Sequence, residues 1–286
     1  MSHTNNRTQI LYTSALMSMF IVAGSIIKAP FYDVKGANIL SLLISGVVFV
    51  VAVPFISKAL SYLFCTDKRN VLIKSLFLIT SGSCLFVFFY SFFEYTKFVS
   101  DIMLPRGNRI CIAVVFAVCI FCALASKTDA VLKFALISAV AVSAAFVVLF
   151  LLSAKNFNIR NIISFRDMYE FSFEGTLTYF LRVFLPALIS AVYLILQGEK
   201  RFSHFAVGAL WGFLLVLVCI FDSVLSFGFS LSSRLLYPYI EDISTVTVGS
   251  IFTRMDALAY FAFFAAYLVK CSVSLRFVFL LLKHSR

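Results

Sequence analysis

The residues with chemistry to offer are few and sit in unusual places. Arg182, Asp222 and Lys270 each interrupt a long apolar run. Glu94 follows the aromatic run Phe88-Phe89-Tyr90-Ser91-Phe92-Phe93. An ionisable side chain at hydrocarbon depth is costly and is kept facing protein or water. Each therefore marks a candidate site or an internal pair such as Asp222–Lys270. Arg276 lies nearer the end of its run, where a long side chain can snorkel to headgroups. Among the aromatics, Tyr90 is the one expected to reach a cavity.

Two further stretches offer backbone chemistry. The first is Ala23-Gly24-Ser25-Ile26-Ile27-Lys28-Ala29-Pro30. Gly weakens a helix, Ser competes for its backbone, and Pro ends it, so the helix can unwind near Gly24. The second is Phe184-Leu185-Pro186-Ala187, where Pro186 cannot donate to its fourth predecessor and leaves the Arg182 carbonyl without that partner. Broken helices at membrane depth expose N–H and C=O groups that hold carboxylates or cations, and inverted-repeat transporters place them in pairs. Ala23, Gly24, Ser25, Ile26, Tyr90, Phe184, Pro186 and Lys270 are thus the candidate ligand-binding residues. Two blander readings stay open: small residues around Gly24 suit a close helix contact, and Pro186 suits a simple kink.

No catalytic set accompanies them, so an enzyme is not expected. There is no Gly-rich phosphate loop. His3, His204 and His284 lie apart and outside the apolar runs, and Glu241-Asp242 sits in a connector. Cys119 and Cys122 have a metal-like spacing, but no second pair or nearby His completes a zinc set. No metal or cofactor is expected, and the cysteines read as small buried hydrophobes.

The elements that must position these residues follow from composition. Hydrophobic residues make up 62% of the 286 and charged residues 13%, with a mean hydropathy of +1.02. Soluble domains carry about a quarter charged residues, and the deficit is explained if lipid covers the surface. The apolar blocks are about 20 residues long, the length of a helix that crosses a bilayer. The alternation of a membrane barrel is missing. The net charge of +11 is placed near helix ends, where it meets headgroups. With no basic domain outside the membrane, a nucleic-acid partner is not expected.

Eight spans are expected, near 10–29, 37–60, 71–98, 110–125, 130–153, 176–196, 205–229 and 256–282. The first is read as a span rather than a removed leader. A polar stretch from Lys155 to Glu174 has room for a short surface helix. Lys58, Lys68, Arg69 and Lys74 crowd one short loop, which favours the N-terminus inside.

Two parts of this pattern resemble the B subunits of spore germinant receptors, the germination permease family within the amino acid–polyamine–organocation superfamily. Gly24-Ser25-Ile26-Ile27 with Pro30 resembles that superfamily's broken first helix. Phe227-Gly228, Leu236-Tyr237-Pro238-Tyr239 and Val248-Gly249-Ser250-Ile251-Phe252-Thr253-Arg254-Met255-Asp256 resemble the family's passage from its seventh span into its eighth. That passage has a Tyr-Pro, then an Arg, one residue and an acid, here Arg254 and Asp256. Lys270 falls where the eighth span often carries a basic residue.

The resemblance implies an all-α, polytopic transmembrane bundle with a LeuT-type inverted-repeat core. One transmembrane domain, 1–286, would hold a first repeat near 10–153 and an incomplete second near 176–283. The ligand pocket would lie between the first, third, sixth and eighth spans. The implied partners are germinant receptor A and C subunits and a small nutrient such as an amino acid. The implied location is the spore inner membrane or a bacterial cell membrane. The family usually has ten spans, so the core is expected to be shortened to eight. A proton- or sodium-coupled amino acid transporter and a degenerate structural subunit remain alternatives.

Overall fold

The computed structural model describes residues 6–25, 39–65, 71–158, 161, 173–197, 203–232, 234–246 and 255–285. Among them there is no strand, as expected where lipid forces every backbone group to bond within its own helix. The long rods are α1 (Asn6–Ser25), α2 (Ile39–Cys65), α3 (Val71–Phe98), α4 (Arg109–Ala125) and α5 (Thr128–Ser153). A rod in two parts follows, α6 (Phe173–Tyr179) and α7 (Leu185–Leu196). Next come α8 (Ser203–Phe227), the short α9 (Phe229–Ser232) and α10 (Pro238–Thr245), and the last rod, α11 (Asp256–Ser285).

Five of these helices are long and apolar enough to cross a membrane. They are Leu40–Ala59, Leu78–Met103, Thr128–Asn156, Ser203–Phe227 and Asp256–Leu282. Shorter apolar helices, Thr8–Gly24, Arg109–Ala125 and Leu185–Leu196, stand where the remaining expected spans fall. The protein is a polytopic helical membrane bundle.

The core is built around α1 and α11. From Ala15 to Ala23, α1 is almost wholly buried, packed on α8, α5, α11 and α7. Its closest neighbour is α8, and the cause is a pair of glycines one turn apart. A Cβ on Gly208 would stand 2.7 Å from Ser14 Cα, and one on Gly212 would stand 2.9 Å from Ser18 Cα. Only a hydrogen fits there, so the two backbones meet through a small-xxx-small face. The close contact expected near Gly24 is thus made earlier along α1, against Gly208 and Gly212.

Local chemistry sets several of the ends. The Asn108 side chain accepts from the Ile110 N–H at 2.9 Å and caps α4. At its other end, Arg276 of α11 donates to the Leu124 carbonyl at 2.9 Å and also to that of Ser126. This cation on the carbonyl end of α4 ties the two helices and holds the guanidinium inside the protein. Gly228 takes φ of 76° and closes α8 by returning its N–H to the Val224 carbonyl at 2.8 Å.

Candidate functional site

The second expected helix break takes a different form from an unwound turn. Between α6 and α7, Phe180–Phe184 forms a π-helical turn, with the Leu185 N–H bonded to the Phe180 carbonyl. Pro186 then falls in the first turn of α7, where a missing N–H costs little. The ladder absorbs the proline by widening for one turn, so the rod stays helical throughout. On the first helix, α1 is helical through Ser25, and Ile26 to Pro30 lie outside the described residues.

The widened turn borders a cavity of about 870 Å³. Its wall takes Ile56 from α2, Thr80, Gly82, Phe86 and Tyr90 from α3, Thr178, Leu181, Pro186 and Val192 from the α6–α7 rod, and Lys270 from α11. The space arises because α2 packs on the α6–α7 rod and α3 packs on α11, while α3 and α7 are not closely packed. The wall is mostly apolar, with a few polar groups at Thr80, Ser83, Tyr90, Thr178 and Lys270. That combination and size belong to small-molecule sites. Ile79 and Phe86 on its rim are 64% and 70% exposed, so the cavity opens along its outer edge.

Lys270 is the charged group of the wall and is only 2% exposed. Its ammonium stands 5.8 Å from the centre of the Tyr267 ring, one turn earlier on α11. That position is within the range of cation–π attraction. The Tyr267 hydroxyl donates to Glu94 Oε2 at 2.8 Å, and the Tyr90 hydroxyl donates to Glu94 Oε1 at 3.3 Å. Glu94 thus collects two phenols, one from its own helix and one from α11. The lysine and the carboxylate flank one ring, which fixes both near the cavity wall.

Of the eight candidate residues, the structure brings Tyr90, Pro186 and Lys270 to this one cavity. Phe184 does not line it. It is fully buried, stacked on Phe49 at 4.9 Å and edge-on to Phe213 at 6.1 Å, which is core packing. Ala23 is buried and Gly24 half-buried inside α1, away from the wall, and Ser25 is the last residue of that helix. Ile26 lies outside the described residues. The cavity is bounded by the second helix instead of the first. Asp222 and Lys270 have separate partners: Asp222 Oδ1 accepts from Ser153, and Lys270 faces Tyr267.

Two contributors escaped the reading of residue types. Tyr267 stands three residues before Lys270, the spacing of one helix face, and that signal was present. Gly82 opens the α3 wall, since a Cβ there would meet nothing within 4 Å. Among the described residues no group of three or more His, Cys, Asp or Glu is arranged to hold a metal ion. Comparison with family models, with curated proteins and with solved structures finds no match for this chain.

Proposed function

We propose that the chain is a transporter-like membrane subunit that binds a small nutrient in this cavity, in the manner of a spore germinant receptor B subunit. The observation that carries the reading is the joining of Tyr90, Pro186 and Lys270 in one wall at membrane depth. A buried ammonium attracts a carboxylate, the hydroxyls orient it, and the apolar wall takes a side chain. An amino acid or similar metabolite combines those parts. The LeuT-type plan, shortened to eight spans, belongs to the same proposal, as do A and C partner subunits and a spore or bacterial cell membrane.

The test is a thermal-shift screen of the purified protein against amino acids, sugars and nucleosides. A ligand that binds the folded state raises its melting temperature, by more as its concentration rises above its dissociation constant. A concentration-dependent shift that Lys270→Met abolishes supports the reading, and no shift from any compound overturns it. Labelled-ligand uptake into proteoliposomes then separates a transporter from a receptor.

A further inference from the structure

A second set of buried polar groups lies where α8, α10 and the end of α5 meet, and it shares no residue with the cavity. Asp222 of α8 is fully buried, Asp242 of α10 is 1% exposed, and Tyr239 of α10 is 3% exposed. Each acid spends one oxygen on a serine. Ser153 donates to Asp222 Oδ1, and Ser226 donates to Asp242 Oδ2 at 2.8 Å. The remaining oxygens, Asp222 Oδ2 and Asp242 Oδ1, are buried with no hydrogen-bond partner, and the Tyr239 hydroxyl is buried beside the Cys219 thiol. Both acids act electrostatically on Tyr239, and Asp242 acts on Asp222, which places the three in one neighbourhood.

Most donors around them are committed elsewhere, and Asn156 also acts on the Asp242 side chain. Asn156 donates to Thr245 at 3.0 Å, Thr245 to the Asp242 carbonyl at 2.7 Å, and Asn161 to the Leu225 carbonyl at 2.9 Å. Neither acid forms an ion pair with a Lys or Arg among the described residues. Two carboxyls held this way in an apolar interior are neutralised either by taking up protons or by holding a cation.

We propose that Asp222 Oδ2, Asp242 Oδ1 and the Tyr239 hydroxyl are the protein ligands of a monovalent cation, sodium, that keeps part of its water shell and is held between α8 and α10. Hard cations take oxygen ligands, and every unpartnered atom here is an oxygen. Calcium needs about six to eight of them, whereas each acid here has only one left to give. The site fastens the short helix α10 to the end of α8, so its occupancy stabilises the connector that leads into α11.

The experiment melts the purified full-length protein in sodium chloride and in choline chloride at equal ionic strength. Sodium is expected to raise the melting temperature by a few degrees, increasing with its concentration at constant ionic strength. The shift is expected to vanish in Asp222→Asn and in Asp242→Asn, to shrink in Tyr239→Phe, and to persist in Glu241→Gln. Radioactive sodium retained by the unmodified protein in equilibrium dialysis gives a reading that does not depend on any variant folding. Equal melting in the two salts, a full response in both Asn variants, no retained sodium, or a response to calcium alone would each overturn the proposal.

Discussion

Tyr267 donates its hydroxyl to Glu94 across 2.8 Å, joining the last helix to the third behind the cavity wall. The same phenol ring stacks near Tyr95 at 5.4 Å, and Tyr95 lies 4.5 Å from Phe116 of α4. One hydroxyl therefore fixes a carboxylate, while the ring beneath it is held by aromatic neighbours. Tyr267→Phe keeps the ring and removes the donor. The expected loss is about 1–3 kcal/mol, the cost of stranding a partly buried acceptor. Glu94→Gln keeps an acceptor and should cost less. Thermal melting of the two variants checks the order, and a Phe variant as stable as the parent would contradict it.

Gly208 and Gly212 should not tolerate a side chain, because the α1 backbone itself stands where the Cβ would go. Gly208→Leu and Gly212→Leu each push side-chain atoms into the α1 backbone, at a cost of about 1–3 kcal/mol or more. Gly82→Leu, whose Cβ meets no atom within 4 Å, should leave the melting temperature unchanged or slightly raised. Folded yield and melting of the three variants test this contrast. A Gly208 variant that melts like the Gly82 variant would remove the close contact from the account.

Arg276→Ala should loosen the join between α4 and α11. It strips the donor from the Leu124 and Ser126 carbonyls at a helix end, where charge-assisted bonds are worth about 1.5–3 kcal/mol. Hydrogen exchange at the last turn of α4 should accelerate more than exchange in α8. Uniform exchange across both helices would argue against a local role.

Stability should also depend on pH through Asp242 in the α10 connector. Burial pushes its carboxyl up to about 6, with Ser226 and Asn156 pulling the other way. A carboxyl raised above its unfolded value of 3.8 binds a proton more tightly when folded. Its contribution is fully present below that lower value and is lost as pH rises through about 6. Burial pushes Glu241 in the same direction. Without sodium, the melting temperature should fall as pH is raised from 4.5 to 7, and Asp242→Asn should remove part of that slope. An unchanged slope in the variant would place the titration elsewhere.

The apolar runs made the helices legible, because a chain in lipid must close its backbone bonds locally. Lys270 and Tyr90 were legible for a related reason: polar groups in such runs need a protein or water neighbour. Phe184 was not, since a phenylalanine beside a proline reads the same in a pocket or against Phe49. Pro186 announced a disturbed ladder, but not whether it would unwind or widen into a π turn. The link from Glu94 to Tyr267 joins residues far apart in sequence, and only the packing of α3 on α11 brings them together. Asp242 looked like a solvated connector acid until α10 was seen folded against α8.

The most direct test of the central claim is ligand-induced stabilisation of Gly82→Phe beside the parent protein, across the 20 standard amino acids. A Cβ at position 82 meets nothing within 4 Å, so the ring has open space to leave the backbone at the α3 wall of the cavity. The account predicts that the parent is stabilised by at least one amino acid, and that Gly82→Phe melts like the parent alone but no longer responds. A parent that responds to none, or a Gly82→Phe variant that responds as fully as the parent, would contradict it.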